Sequence, residues 1–248
     1  MSILISELIR YAAASRPEDD VSVSGGARDA ACTLDVTQMA ANDVLRAVSD
    51  NAGDTTQILT ITGRNAAGEI VTDPIALNGI TPVAGVVTFE RYIKSTLSAA
   101  CAGNVTLERN TGPNDDLVII PAGMTAASSL FIGASSESTQ TVRYEKEFWR
   151  NESAESLTLN AAIIQLTTDP SASVKVGMAA AKDDTVSVAN RLTAPGGVTF
   201  VDDAVDINVP GNSLAVNEAI GVWLELTREA GAASIKSSYT TQLEGTSI

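Results

Sequence analysis

Carboxylate side chains are the strongest candidates for chemistry in this sequence of 248 residues. Lys182-Asp183-Asp184 places two carboxylates beside a basic group, an arrangement from which acid–base chemistry can be built. The same tripeptide is typical of a polar turn after a strand that ends near Ala180, because Asp is a common turn former. We favour the turn interpretation for these residues.

A second set of possible ligands lies at one loop and strand start, at Asp202, Asp203, Asp206 and Asn208. Oxygen-rich clusters of this kind can bind Ca²⁺, but the spacing lacks the Gly and the terminal Glu of an EF-hand loop. A solvated acidic turn is therefore the favoured interpretation. It applies equally to the acidic runs Glu18-Asp19-Asp20 and Asp115-Asp116, so the sequence predicts no metal site.

The sequence contains no histidine, the side chain that most often moves protons near neutral pH. No G-x-S-x-G elbow presents a serine nucleophile, and the glycines of GGAR (25–28) and PGG (195–197) lack the context of a phosphate loop. Cys32 and Cys101 form no CxxC motif and are predicted to be two buried thiols. We expect no catalytic, cofactor-binding or metal-binding residues and no enzyme activity. Any pH response near neutrality should come from coupled carboxylates or from partners.

The chain is strongly acidic, since 16 Lys and Arg against 30 Asp and Glu give a net charge of −14. This charge keeps a protein soluble and repels phosphate backbones, so nucleic acid is not expected as a partner. The sign suits docking on a basic surface, although solubility alone accounts for it equally well. The N-terminal run carries Glu7 and Arg10 and is not a secretory signal, and no segment is long enough to cross a membrane.

The apolar residues are mostly small and aliphatic, with 44% hydrophobic but only 4% aromatic residues, which suits thin two-layer β packing. Val, Ile and Thr alternate with polar residues in short runs that favour half-buried strands. Asn78-Gly79 predicts a tight turn, whereas the mixed pattern of 38–48 predicts a short helix or an irregular loop. In the first half the predicted strands are CTLDV, QILTITGR (57–64), EIVTDPIAL (69–77), VVTFERYIKS (86–95) and NVTLER (104–109).

The second half repeats this pattern with eight or nine strand candidates, separated at short intervals by Gly, Pro, Asn and Asp. In EAIGVWLELTR (218–228), the face with Val222, Leu224 and Leu226 is predicted to be the core side. The loop NTGPNDD (110–116) is the best domain boundary. The sequence therefore predicts an all-β protein with two antiparallel β-sandwich domains, jelly-roll or immunoglobulin-like, over 31–112 and 113–248.

Two segments favour contacts with other subunits. Residues 1–30 are predicted to form an N-terminal arm, either frayed or lying on a neighbour, with a short helix that Arg16-Pro17 ends. VRYEKEFWR mixes aromatic and charged residues on both faces of a strand, which fits a subunit contact or a protected sheet edge. Because aromatic side chains dominate interface anchors, the predicted contact residues are Leu8, Ile9 and Tyr11 in the arm and Tyr144, Phe148 and Trp149 in the charged strand.

Three stretches that span most of the chain resemble a family of tailed-bacteriophage virion structural proteins. They begin with SELIRYAAASRPEDDVSVSGGAR, LTITGRNAAGEIVTDPIALNGITPV and VRYEKEFWRNES, the last continuing through AAKDDTVSVANRLTAPGGVTFVDD to the C-terminal NEAIGVWLELTREAGAASIKSSYTTQLEG. The hairpin in the second stretch is similar to β-sandwich modules of phage capsid and tail proteins. The resemblance implies a virion component and no catalytic residues.

The leading hypothesis is a capsid decoration, or cement, protein on the exterior of the virion capsid that is synthesised in the host cytoplasm. It would bind the major capsid protein across capsomer boundaries, or other virion proteins, as a homo-oligomer with a trimer favoured. No membrane, nucleic acid or cofactor is expected. One alternative is an adaptor protein of the neck, tail or baseplate. A less favoured alternative is a receptor- or glycan-binding module that stacks Trp149 or Trp223 on a sugar.

Overall fold

The computed structural model describes residues 7–112, 116–133, 138–165, 173–202, 205–231 and 241–247. These residues form mostly antiparallel β-sheets and contain no helix of seven or more residues, so the all-β prediction is confirmed. A 3-10 turn covers Pro210–Asn212. Among the described residues, no helix has the length and apolar character needed to cross a membrane.

The strands are β1 (Leu8–Ser15), β2 (Ser24–Thr33), β3 (Asp43–Ser49), β4 (Ile58–Arg64), β5 (Ile70–Ala76), β6 (Val83–Phe89), β7 (Arg91–Leu97), β8 (Val105–Arg109), β9 (Asp116–Ile120), β10 (Ala126–Ser128), β11 (Thr141–Asn151), β12 (Leu157–Gln165), β13 (Val174–Lys182), β14 (Ser187–Val188), β15 (Ile207–Asn208), β16 (Ala219–Arg228) and β17 (Thr241–Ser247).

The chain divides into two compact units, unit 1 with Met1–Asp29 and Leu130–Ile248, and unit 2 with Ala30–Ser129. These units do not follow the predicted boundaries. The chain after the 110–116 loop continues within unit 2, because β9 returns to pair with β8, with Ile120 opposite Val105. The predicted boundary loop is therefore a connection between two neighbouring strands of one sheet.

Unit 1 contains a sheet with the strand order β13-β16-β11-β1-β2, with β14 paired to β2, and a smaller sheet with the order β15-β12-β17. The core of this unit joins residues of both sheets. Val222, Leu224 and Leu226 belong to it, as their alternation predicts. Its other buried members are Leu157, Val174, Val176, Met178, Val209, Leu214, Ile220 and Leu243.

The prediction of a helical N-terminal arm is wrong for the described residues. Residues Leu8–Ser15 form β1, which lies between β11 and β2 in the sheet of unit 1. LIRYAAAS is rich in good helix formers, but helix propensity is weak compared with the tertiary contacts of a central strand. Three consecutive residues, Tyr11, Ala12 and Ala13, are at most 4% exposed, which shows that both faces of β1 are covered.

Unit 2 contains strands of two sheets. The end of β2 pairs in parallel with β10, and the sheet continues through β7 and β4 to β5, while the second sheet has the order β6-β3-β8-β9. The helix or loop predicted at 38–48 is wrong from Asp43 onward, where β3 alternates between buried and half-buried residues. The strand predicted at 86–95 is two strands, because the chain leaves one sheet after Phe89 and enters the other at Arg91. The tight turn predicted at Asn78-Gly79 is present, with Gly79 at a φ of 57° and Asn78 paired with Thr81.

The carboxylate of Asp73 joins the edge strands β5 and β6 of the two sheets in unit 2. Asp73 is 1% exposed, and its Oδ2 accepts hydrogen bonds from the backbone N–H groups of Val86 (2.7 Å) and Val87 (2.9 Å). A Cβ on Gly85 would lie 2.1 Å from the same oxygen, so a glycine is needed at that position for the close approach. Unpaired edge groups of β6 are satisfied in this way without a further strand.

We expect Asp73→Ala to destabilise unit 2 by about 2 kcal/mol, because two backbone N–H groups of β6 lose a charged acceptor. The specific measurement is amide hydrogen exchange, which should accelerate at Val86 and Val87. Thr72→Ala is the matched control, since Thr72 is the exposed neighbour on the same strand. Unchanged exchange at the two valines in Asp73→Ala would show that the carboxylate does not hold the edges together.

Candidate functional site

The two sets of predicted contact residues lie on adjacent strands of unit 1. β1 pairs antiparallel with β11, which places Tyr11 opposite Phe148 and Ile9 opposite Arg150. Residues that are about 140 positions apart in the sequence therefore become neighbours in the sheet. This brings together the predicted residues Leu8, Ile9 and Tyr11 of β1 and Tyr144, Phe148 and Trp149 of β11.

The position of these residues in the sheet differs from the predicted protected edge. β11 lies between β16 and β1, and Phe148 is 0% and Tyr11 4% exposed. The prediction that Phe148 makes a surface contact is therefore wrong, because its ring is part of the interior of unit 1. Leu8 and Trp149 are partly buried against the core of unit 1, and the half-buried ring of Tyr144 lies 5.3 Å from that of Phe200.

One face of β11 carries buried charges that are paired within the unit. Arg143 donates from Nε and Nη2 to the two carboxylate oxygens of Asp20, at 2.6 and 2.8 Å. Arg191 donates from Nε to Oδ1 of the same carboxylate, at 2.6 Å. Both arginine side chains are 1% exposed, while that of Asp20 is 30% exposed. The hydrogen bond from Arg143, with that from Arg191, holds the pKa of Asp20 below its usual range.

Glu145 lies beside this arginine pair and is the least solvated carboxylate of the cluster. Its Oε2 accepts a hydrogen bond from the N–H of Phe131 at 2.8 Å, and its Oε1 lies 3.5 Å from Nη1 of Arg191. Burial raises the pKa of Glu145 to about 7, against the opposing effect of the Phe131 N–H and the arginines. Glu145 is therefore a carboxylate able to titrate near neutrality. A group of this type was expected to carry any pH response of the chain, because the sequence contains no histidine.

The opposite face of β11 holds a buried lysine between aromatic rings. Nζ of Lys146 forms an ion pair with the carboxylate of Asp184 and donates to the backbone oxygens of Gly26 (3.1 Å) and Val186 (3.3 Å). It also lies 4.7 Å from the ring centre of Phe148 and 5.5 Å from that of Trp223, within range of cation–π attraction. Burial lowers the pKa of Lys146, and Asp184 opposes this change.

Two further ion pairs complete the β1–β11 region. Nη2 of Arg10 lies 2.5 Å from Oε2 of the fully buried Glu147. The hydroxyl of Tyr11 donates to Oε1 of Glu152, which Arg150 also binds at 2.5 Å. Burial, together with Glu152, raises the pKa of Tyr11 to about 12. These charged and phenolic side chains bind each other, and their contacts stabilise the positions of the strands and turns of this region.

The most exposed aliphatic residues of unit 1 include a set that we call the turn patch, Val21 (81% exposed), Val186 (51%), Val23 (47%) and Leu192 (45%). Val21 lies in a turn where Oδ1 of Asp19 accepts from its N–H at 3.0 Å. Leu192 lies in a second turn, in which Oδ1 of Asn190 accepts from its N–H at 3.0 Å. Sharp turns with side-chain acceptors hold both residues in defined positions.

Buried charges and backbone hydrogen bonds connect these turns to one another. The bond between Asp20 and Arg191 connects the residue before Val21 to the residue before Leu192. Lys146 holds Asp184 and the backbone of Val186, and the β2–β14 ladder sets Ser24, the residue after Val23, opposite Val188. Exposed aliphatic residues mark a protein-interaction site where they form a contiguous patch. Sequence analysis missed this set, although isolated aliphatic residues inside polar turn sequences were a visible signal.

The other candidates from the sequence are only partly described. Asp183 and Asp184 do follow a strand, as the turn interpretation predicts, and Lys182 forms an ion pair with Glu218 at 2.7 Å rather than with either of them. Asp203 and Asp115 lie outside the described residues. Within the described parts of the chain, no three His, Cys, Asp or Glu side chains are placed to hold a metal ion. Cys32 and Cys101 are buried thiols outside any disulfide, as predicted.

Comparisons of this chain with protein-family models, with curated proteins and with solved structures give no match.

We expect Asp20→Ala to lower the free energy of unfolding of unit 1 by roughly 2–3 kcal/mol, because it leaves two buried guanidinium groups without their shared carboxylate. Both tryptophans, Trp149 and Trp223, belong to unit 1, so tryptophan fluorescence during urea unfolding reports on this unit alone. The matched control is Asp206→Ala, which removes an exposed carboxylate of the same unit and should leave the transition nearly unchanged. Equal transitions for the two variants would contradict the role of Asp20.

The raised pKa of Glu145 predicts a pH dependence of stability. The unfolded chain loses this proton near the ordinary value of 4.5 and the folded chain near 7, so the stabilisation is complete below pH 4.5 and is lost as pH rises through 7. Over that window the loss amounts to about 3 kcal/mol. Glu145→Gln should remove this slope from the free energy of unfolding measured by tryptophan fluorescence. A variant with the wild-type slope would assign the titration to another group.

Proposed function

We propose that this chain is a structural protein of a bacteriophage virion, and specifically a decoration protein that binds the outer capsid shell across capsomer boundaries and stabilises it. The observation that carries this proposal is the turn patch, a set of exposed aliphatic side chains held on turns by buried ion pairs. Rigid exposed apolar groups lose little conformational entropy on binding, so they are suited to permanent protein contacts.

The distribution of charge supports a binding role. The buried arginine, lysine and glutamate side chains of the β1–β11 region are bonded to each other and to the turns, and so stabilise the scaffold. The net charge of −14 gives the remaining surface an acidic character that disfavours contact with packaged nucleic acid. A shell surface with basic residues around an apolar depression would complement the turn patch.

We also propose that each unit is a β-sandwich domain, which would suit a stiff building block. In unit 1 the core joins residues of β13 and β16 in the larger sheet to Leu157 and Leu243 in the smaller one. In unit 2 the inward residues of both sheets are buried, and Asp73 connects two of their edges. A two-layer arrangement of this kind exposes broad, flat outer faces for contacts.

The test uses particles of the virus that encodes the chain, produced with and without this protein. We expect labelled protein over the whole shell in low-resolution images, and we expect particles without it to release their genome at lower temperature and lower salt. Added purified protein should restore the resistance. A label confined to one vertex would instead identify a neck or tail adaptor, and equal resistance of the two particle types would overturn the decoration function.

A further inference from the structure

Lys146 and Asp184 bring a primary amine and a carboxyl group into contact inside unit 1. The side chain of Lys146 is 0% and that of Asp184 12% exposed. The pair formed by Lys182 and Glu218 in the same unit is closer to solvent, with 21% and 33% exposure. An amine and a carboxyl group are the two reactants of an amide bond, and at the Lys146–Asp184 pair they meet where water is largely excluded.

The surroundings of Lys146 fix its amine against the carboxyl group. The side chain passes over Gly221, where a Cβ would lie 2.6 Å from Cε of Lys146, so a glycine is needed at that position. The rings of Phe148 and Trp223 border Nζ. Burial lowers the pKa of Lys146, which favours the neutral, nucleophilic amine. Two groups held in this way react as if one were present at about 10⁵ M or more.

The carboxyl group of Asp184 is oriented by the segment that carries it. Its Oδ2 contacts Nζ of Lys146, while its Oδ1 accepts a hydrogen bond from the backbone N–H of Val186 at 3.1 Å. Oδ2 is therefore placed to receive protons from the amine. The N–H of Val186 is placed to stabilise the negative charge that Oδ1 acquires when a nucleophile adds to Cγ.

We propose that Lys146 and Asp184 form an intramolecular amide bond between Nζ and Cγ, which joins β11 covalently to the segment before β14. The ion pair is the state that precedes this bond. The proposal goes beyond the decoration function and does not depend on it, because it concerns only contacts within unit 1.

The reaction requires no component other than the two side chains. A proton moves from the ammonium group to Oδ2, which gives a neutral amine and a carboxylic acid. The Nζ lone pair adds to Cγ, a second proton moves from Nζ to Oδ2, and the Cγ–Oδ2 bond breaks to release water. No group is oxidised or reduced. The remaining N–H of the amide has the backbone oxygens of Gly26 (3.1 Å from Nζ) and Val186 (3.3 Å) as acceptors.

The loss of two buried charges favours the amide. In water, hydration stabilises an ammonium and a carboxylate group, whereas burial removes most of that hydration. The amide is neutral and is already provided with hydrogen-bond acceptors. Because Asp184 remains 12% exposed, the released water has a route to solvent.

The bond would close a covalent loop between residues 38 positions apart. A link of this kind restricts the unfolded chain, as a disulfide does. Cys32 and Cys101 form no disulfide, so the amide would supply a cross-link that these thiols do not. It would also hold Val186 of the turn patch on the central strand β11.

The test is the intact mass of the purified full chain, measured under denaturing conditions. We expect a mass that is lower than the one calculated from the sequence by one water molecule. Lys146→Arg keeps the cation but lacks a primary amine, and Asp184→Ala lacks the carboxyl group, so each should have its full calculated mass. Glu218→Gln is the matched control, because it removes the carboxylate of the more exposed pair and should retain the loss of one water.

Digestion with trypsin locates the bond. Trypsin does not cut after an acylated lysine, so the wild-type chain should give one branched product in which 144–150 is joined to 183–191. A wild-type chain of full calculated mass would overturn the proposal. A water lost within 183–191 alone would overturn it as well, because that result identifies a cyclic imide of an aspartate.

The wild-type chain alone decides the result, so a variant that fails to fold does not affect it. Tryptophan fluorescence during urea unfolding shows which variants are folded, and a folded Lys146→Arg should unfold at lower urea than the wild type. These outcomes are separate from the particle test. A cross-linked chain that fails to bind shells would refute only the decoration function, and a shell-binding chain of full mass would refute only the amide bond.

Discussion

The shared carboxylate of Asp20 is the contact on which most of unit 1 depends. Two guanidinium groups, Arg143 and Arg191, are 1% exposed and could not remain in that interior without an anion. Because Asp20 supplies it, the segment that precedes β2 must lie against β11 and against the turn that carries Arg191. The desolvation of two arginines thus defines the positions of chain segments that are more than 120 residues apart in the sequence.

A buried cation also requires polar partners on the other face of β11. Lys146 is satisfied only where Asp184 and the backbone oxygens of Gly26 and Val186 converge on its Nζ. That convergence brings Gly25 of β2 close to Trp223 of β16, and only a glycine fits there, because a Cβ would lie 2.5 Å from the ring of Trp223. A central strand with charges on both faces therefore positions the layers above and below it. The exposed valines and leucine of the turn patch are held by this internal pairing, which connects the stability of the unit to its proposed binding role.

Sequence patterns predicted which residues form strands better than they predicted which strands and charges pair with one another. Alternation correctly identified β4, β5, β8 and β16, since side-chain period is a local property of a strand. The charged pattern of β11 predicted a sheet edge or a subunit contact, because the sequence of a single strand does not show which counter-charges its side chains will meet. The counter-charges lie at Asp20, Asp184 and Arg191, which no local rule connects to β11. The turn patch was missed for the same reason, since its members lie in separate turns of the chain.

The sequence by itself determined the all-β class, the acidic net charge, the absence of imidazole and the tight turn at Asn78-Gly79, because composition and local backbone preference are sufficient for each. Only the tertiary structure decided that Leu8–Ser15 is a central strand, that β6 and β7 belong to different sheets, and that Glu145 is a carboxylate with a pKa near 7. Each of these depends on desolvation and on pairing between residues that are far apart in the chain. The energy of a strand or a charge is set by the groups around it in space, and these are not its neighbours in sequence.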